Sequence, residues 1–357
     1  MRILQLAPPW FAVPPSGYGG TEWVVAQLAD GLVEAGHDVT LLASGGSRTR
    51  ARLETVFGEP PSARLGDQWP DLLHAVAGYR QARDHDLIHD HSGIVGPVIG
   101  ALLGASGQAP PIVHTLHGPW HDDARALYPA LPGPDEGGLH LIAISHDQAS
   151  RAPEGVRIDA VVHNGIPVER FRFRPAPRGQ DGYLAFVGRA NPDKGPDTAV
   201  RVARALGRPL KMAVKCNEPP EFAYWAEAVA PLLDGADVEV TFNATFDEKV
   251  ALMEGADALL NPIAWPEPFG LVMVEAMACG TPVVGYAGGA AAEVVEHGRT
   301  GLLVPPGDFD ALCAAVGEVA HLDPLACRRR VETLFSSQAM VDGYLRVYEK
   351  IVAERAS

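Results

Sequence analysis

Short apolar runs without helical period alternate along this chain with longer amphipathic stretches, and turn residues separate the two. RILQLA (2–7) reads as a strand, and TEWVVAQLADGLVEA (21–35), stopped by Gly36, reads as a helix before the strand-like HDVTLLA (37–43). The unit recurs as DLLHAVAGYRQAR (71–83) then DLIHDHS (86–92), as GPVIGALLGA (96–105) then PPIVHTLHG (110–118), and as a loop-rich stretch before LHLIAIS (139–145). Alternation of this kind predicts an α/β fold, a parallel sheet covered by helices on both faces.

Near Val161 the pattern restarts. VVHNGIPVERFRFRPAPRGQDG (161–182) is rich in Pro, Arg and Gly and lacks periodicity, and YLAFVGRA (183–190) then opens a second series. Its helices read as DTAVRVARAL (197–206), FAYWAEAVAPLL (222–233), EKVALMEGA (248–256) and GLVMVEAMAC (270–279). Its strands read as LKMAVK (210–215), VEVTF (238–242), ALLNPI (258–263) and PVVGYA (282–287). We expect two doubly wound, Rossmann-like domains, 1–165 and 166–335, with a last helix in 336–357 packing back onto the first. Two such sheets facing across a cleft would bind ligand at the carboxyl ends of their strands.

At 357 residues and 47% apolar composition, the chain is long enough for two cores. A formal charge of -15 argues against a broad polyanion-binding surface, so nucleic acid is not an expected partner, while a local cationic pocket for one phosphorylated small molecule remains open. Cys216, Cys279, Cys313 and Cys327 form no CxxC pair and suit reduced thiols. The start of the chain lacks the pattern of a secretory leader, and Ile94–Leu103 is too short and too broken by Gly96, Pro97 and Gly100 to span a bilayer. The expectation is a cytoplasmic protein without an integral membrane segment, its oligomeric state open.

Four stretches carry candidate chemistry. SGYGGTE (16–22) is a glycine-rich turn feeding a helix, whose exposed amides suit a phosphate or diphosphate; the plainer reading is a tight turn capped by Thr21. In FVGRANPDKGPDTAV, Arg189 and Lys194 follow a strand and could clamp an anionic leaving group. HTLHGPWH brings His114, His117 and His121 close in sequence, but Gly118 and Pro119 break the helix a metal site would need, so no metal is expected and His117 reads as a polar group of the cleft. His89-Asp90-His91 reads as strand-end polar residues. Finally, NPIAWPEPFGLVMVEAMACGTPVV (261–284) holds Glu267 before a helix and Glu275 within it. A glycosidase-like acid and nucleophile pair is one reading, a cap by Glu267 with a solvated Glu275 is another, and carboxylates binding sugar hydroxyls is a third.

Taken together, these motifs resemble the retaining GT-B glycosyltransferases of family four, the glycosyl transferases group 1, over nearly the whole chain. GYGGTEWVVAQLADGLVEAGHDVTLLA, HTLHG, HNGIPVERF, GRANPDKG, EPFGLVMVEAMACGTPVV and GGAAAEVVEHGRTGLLVPPGD occur in the family's order. The resemblance implies transfer of a hexose-type sugar, with retention and without a metal or other cofactor, from a nucleoside diphosphate sugar to a small-molecule or glycan acceptor. A UDP-sugar heads the donors, with GDP- and ADP-sugars open. It implies that Glu267 contacts the donor sugar and Glu275 the ribose. Phe269, Gly270 and Leu271 would offer amides to the phosphates, Arg189 and Lys194 would neutralise them, Gly19 and Gly20 would approach the diphosphate, and His117 would lie near the transferred sugar. The nucleotide would lie mainly on the second domain and the acceptor mainly on the first, where Trp10, Phe11, Tyr18 and Trp120 could stack on it. Three departures stand out: Pro167 replaces the family's usual Asp, GRANPDKG has Ala190-Asn191 in a variable loop, and TFNATFDEK lacks a glycine often found after that strand. A sugar-nucleotide epimerase or hydrolase of the same architecture, or a non-catalytic sugar-nucleotide sensor, would use the same donor residues.

Overall fold

The computed structural model describes residues 1–357 apart from Ser16, Tyr18, Pro177, Arg178, Gln180, Asp181 and Ser357, together with the side chain of Ala356. Two compact units result, Met1–Gly165 with Ser337–Ser357, and Ile166–Ser336.

In the first unit, β1 (Arg2–Leu6), β2 (Asp38–Ala43), β3 (Arg52–Thr55), β4 (Leu87–Asp90), β5 (Ile112–Leu116), β6 (Leu139–Ala143) and β7 (Ala160–Val161) form one parallel sheet ordered β3-β2-β1-β4-β5-β6-β7. Strand alternation sends Leu4, Leu6, Leu42 and Ile88 into a core with Ala75 and Tyr79 of the Gln68–Tyr79 helix and Ala101 of the Val95–Ala105 helix. Leu41 and Ala43 face the opposite way, onto Val25 and Ala29 of the Gly20–Glu34 helix. The terminal helix Ser337–Ala356 packs beside Gly20–Glu34. It buries Tyr344 and Tyr348, whose hydroxyls meet Thr115 Oγ1 at 2.9 Å and His89 Nδ1 at 2.5 Å.

The second unit holds β8 (Leu184–Arg189), β9 (Leu210–Lys215), β10 (Val238–Phe242), β11 (Ala258–Asn261), β12 (Val283–Tyr286) and β13 (Gly301–Val304), all parallel, in the order β10-β9-β8-β11-β12-β13. Its core runs through Leu184, Phe186, Met212, Val214, Leu260 and Val284. Burial on both sides explains why these strands read as continuous apolar runs. The chain leaves β8 towards β9 and leaves β11 towards β12, so adjacent strands β8 and β11 send their following loops in opposite directions. Such a reversal opens a crevice at the carboxyl ends of the strands. In the first sheet β1 and β4 are the corresponding pair.

Three strands, β3, β7 and β13, lie outside the expected set. The expected helix over 222–233 is instead three pieces, an α-helical Pro219–Tyr224, a π turn Trp225–Val229 and a 3-10 turn Ala230–Leu233. Pro231 lacks the N–H that a continuous α-helix needs there. Where the family's glycine is missing after β10, Asn243 takes a left-handed φ of 52°, and its Oδ1 accepts from the Cys216 amide at 3.1 Å. Asparagine is the side chain that tolerates that conformation best after glycine. None of the four cysteines is in a disulfide. Among the described residues no helix is long and apolar enough to cross a membrane.

Candidate active site

Lys194 and Glu267 meet at the β8/β11 reversal of the second unit. After β8, Asn191 Oδ1 accepts from the Lys194 amide at 3.2 Å and closes the turn Pro192–Lys194. Gly195 follows at φ 67°, where a side chain would come within 2.8 Å of the Pro262 carbonyl. After β11, the loop bearing Glu267 is pinned by Gly289: at φ 55° it lies so close to the Glu267 main chain that a Cβ would collide with its amide and carbonyl, and the Ala290 amide donates to Glu267 O at 2.9 Å. Lys194 Nζ donates to Glu267 Oε2 at 2.5 Å, with side chains 21% and 16% exposed, and lies 5.5 Å from the centre of the Trp265 ring.

The Leu271–Ala278 helix starts at Gly270, which is at φ 86° and provides no side-chain cap. Glu267 is therefore not the capping residue, because its carboxylate is turned to Lys194. Nor is Glu275 solvated. It is 9% exposed, Oε1 accepts from Lys249 Nζ at 2.6 Å, and Oε2 is buried with no hydrogen-bond partner among the described residues. A buried acceptor left open beside an uncapped helix start suits a ligand that brings a hydroxyl and an anion.

Arg189, at the end of β8, is held by carboxylates: Nε donates to Glu221 Oε1 at 2.8 Å and Nη2 to Glu218 Oε2 at 3.3 Å. Lys215, in register with it on β9, donates to Glu218 Oε1 at 2.5 Å and to Glu221 Oε1 at 3.2 Å. Burial works against ionisation of Glu221. The Asn217 amide, Arg189, Lys215 and the Glu218 amide outweigh it and hold the carboxyl below its ordinary range. Lys215, Glu218, Glu221 and Lys249 escaped the sequence reading. The one local signal was Glu218-Pro-Pro-Glu221, a capping box at the strand-to-helix turn.

In the first unit the Gly20–Glu34 helix begins at Gly19, φ 149°, without a side-chain cap, so Thr21 does not fill that role. Ser16 and Tyr18 of the same loop lie outside the described residues. Glu22, in the first turn, is buried, and burial pushes its carboxyl up to about 7. Its Oε2 lies 2.8 Å from where a Cβ on Gly19 would stand.

His117 follows β5 and its Nε2 hydrogen-bonds His91 Nδ1 at 2.9 Å. Burial, reinforced by His114, lowers His117 to about 3, so the ring is neutral at ordinary pH. The three histidines of HTLHGPWH do not converge. His114 is engaged by the Asp90 carbonyl and the Tyr128 hydroxyl, both at 3.0 Å, and His121 Nδ1 accepts from the Ala124 amide. His89, Asp90 and His91 stand at the end of β4, where the sequence placed them, and are buried. Asp90 accepts from the Tyr79 hydroxyl at 2.7 Å, and His89 lies between the hydroxyls of Tyr348 and Thr115. Trp120 packs edge-on against Tyr128 and donates to Gln148 O at 2.8 Å, so its ring serves its own domain, while Trp10 and Phe11 are half-buried.

Comparison with known proteins places this geometry. Residues 18–170 match the family model Glycosyltransferase Family 4, and residues 167–332 match Glycosyl transferases group 1. The chain is 30% identical to a D-inositol 3-phosphate glycosyltransferase of Arthrobacter sp. (strain FB24), over 87% of this chain and 84% of that protein. It is 28% identical to a glycogen synthase of Mycobacterium tuberculosis, over 92% and 88%. Among solved structures it is similar to AviGT4, a glycosyltransferase involved in avilamycin A biosynthesis, with a TM-score of 0.70, 26% identity and coverage of 99% and 98%. The chain belongs to the group 1, family 4 glycosyltransferases and has their GT-B fold of two parallel-sheet units.

Proposed function

We propose that the protein is a retaining hexosyltransferase that uses a nucleoside diphosphate sugar, a UDP-sugar first among candidates, and transfers the sugar to an acceptor hydroxyl without a metal. The observation that carries this reading is the Lys194–Glu267 pair at the β8/β11 reversal, beside the uncapped helix start at Gly270. An ammonium and a carboxylate that neutralise one another are poised to part, the ammonium towards a phosphate and the carboxylate towards sugar hydroxyls.

In the reaction the bond from the anomeric carbon to the phosphate oxygen breaks and a bond to the acceptor oxygen forms on the same face, while the acceptor proton passes to a donor phosphate oxygen. Charge grows on the diphosphate. Lys194, Arg189 and the amides at Phe269, Gly270 and Leu271 stabilise it, which is the electrostatic work a metal would otherwise do. Glu275, with one oxygen held by Lys249 and the other open, accepts from the ribose hydroxyls. On the first unit we assign the amides of Gly19 and Gly20 to the diphosphate. His117, a neutral ring oriented by His91, is assigned to the transferred sugar. One relative is named for D-inositol 3-phosphate and one for glycogen, which supports a hydroxyl-bearing small molecule or glycan as the acceptor proposed here.

The test is a thermal-shift screen of nucleoside diphosphates and their sugars, followed by turnover of the best donor in excess chelator with the anomeric configuration of the product read by NMR. A donor that raises the melting temperature, transfer that survives chelation and a retained anomeric centre are expected. Inversion, or activity that returns only with added divalent ion, would overturn the corresponding part.

A further inference from the structure

The segments that lead into β4 and β5, together with the end of the terminal helix, line a hollow of about 540 Å³. Residues 83–86 precede β4 and residues 107–111 precede β5, so the hollow lies at the amino ends of these strands, while His91 and His117 follow their carboxyl ends. Strands of this length put the two ends on the order of 15 Å apart. A doubly wound sheet takes its ligand at the carboxyl ends, so the donor crevice does not account for this hollow. Its volume is that of a small-molecule site.

Two arginines from separate elements reach it. Arg83, in the turn before β4, donates from Nε to Gln108 O at 3.3 Å, and Arg355, at the end of the terminal helix, donates from Nη2 to Ala109 O at 2.8 Å. Consecutive carbonyls of one loop thus pin both guanidiniums, and neither is ion-paired with a carboxylate among the described residues. Asp86 also lines the hollow, but Arg2 Nη2 donates to its Oδ1 at 2.7 Å and holds that carboxyl below its ordinary range. His85 is engaged as well: Nδ1 donates to the Gln81 carbonyl at 3.0 Å, and Nε2 accepts from the Thr40 hydroxyl at 3.4 Å. We propose that the hollow is a second ligand site, for the phosphate monoester of a small molecule. A monoester carries about two negative charges at neutral pH and a set of acceptor oxygens, which matches a pair of guanidinium forks in charge and in donors. Pro110, Pro111 and Val352 supply an apolar wall for the rest of the molecule. With a formal charge of -15 the chain as a whole repels anions, so capture rests on this local pair.

The test is calorimetric titration of the full chain with inorganic phosphate, ribose 5-phosphate and AMP at one ionic strength, in the wild type, Arg83→Ala, Arg355→Ala and Lys194→Met. At least one ester should bind, and more tightly than inorganic phosphate. Each arginine removed should weaken that binding about tenfold or more, as expected for a lost charge-assisted hydrogen bond. Lys194→Met, which alters the donor crevice, should leave it unchanged. Both arginines are exposed, so without ester the unfolding temperature of either variant should stay within about 2 °C of wild type. No ester binding up to about 10 mM, ester binding unchanged in both arginine variants, or inorganic phosphate bound as tightly as both esters would each overturn the proposal. Binding lost in Lys194→Met and kept in the arginine variants would overturn it in favour of the donor crevice.

Discussion

Replacing Lys194 with methionine isolates its charge, since the aliphatic stem can still lie near Trp265 while the ammonium 2.5 Å from Glu267 Oε2 is gone. Two costs follow and they are separable. In the resting protein Glu267 loses its counter-charge at a site where both side chains are about four-fifths covered. This places the stability loss at about 1–2 kcal/mol, between an exposed pair and a fully buried one. During turnover, a unit charge about 4 Å from a developing phosphate charge is worth on the order of 4 kcal/mol at an effective dielectric near 20. Loss of one transition-state donor elsewhere lowers kcat by about 100- to 1000-fold. We therefore expect kcat to fall on the order of 100-fold or more for Lys194→Met, and similarly for Arg189→Ala. The assay is nucleoside diphosphate release at saturating donor for the wild type, Lys194→Met, Glu267→Gln and the double variant. If Lys194 only neutralised Glu267, adding Lys194→Met to Glu267→Gln would cost nothing further in kcat. If it clamps phosphate, the double variant should fall on the order of 100-fold below Glu267→Gln alone. A folded Lys194→Met with kcat within about threefold of wild type, or a double variant within about threefold of Glu267→Gln, would refute the clamp.

Two further outcomes follow from the same geometry. Burial of Glu22 raises its folded-state pKa from 4.5 to about 7, so its contribution to stability is complete below about pH 4.5 and is lost as pH rises through about 7. The difference of about 2.5 corresponds to at most about 3 kcal/mol. Glu22→Gln should therefore gain stability over wild type at pH 8 but not at pH 4.5 in chemical denaturation, and an equal gap at both pH values would disprove the burial argument. Glu267→Gln should depress kcat, whereas Glu275→Gln, which alters the open oxygen beside the Lys249 pair, should mainly raise the donor KM. Kinetics in the reverse order would contradict that division.

Most of the architecture was legible because central parallel strands are buried on both faces and announce themselves as apolar runs. The strands that escaped have a different chemistry. β3 is RLET at a sheet edge, largely exposed and mostly polar, and β7 is two residues long, so neither carries a periodic signal. β13, GLLV, has only one fully buried position and follows a glycine-rich segment that reads as loop. The same distinction holds at the site. Lys194 and Glu267 could be named because each sits in a recognisable motif. Lys215 and Glu221 could not, since what joins them to Arg189 is the adjacency of β8 and β9, a pairing between residues 26 to 32 positions apart in sequence.

The two carboxylates of EPFGLVMVEAMACGTPVV show what sequence spacing conceals. Close in sequence, they invite an acid and nucleophile reading in which the two groups act on one bond. In the folded chain each has its own lysine, Lys194 from the turn after β8 for Glu267 and Lys249 from the Phe246–Gly255 helix for Glu275. A glycosidase pair needs both carboxyls turned to one bond, whereas here each is turned to its own lysine. Both glutamates are thus arranged as acceptors, one paired with Lys194 and one with an oxygen left open. That arrangement favours holding a donor by its hydroxyls over acid–base work by either carboxylate, and it leaves the acceptor's proton to a donor phosphate oxygen in the reading proposed above.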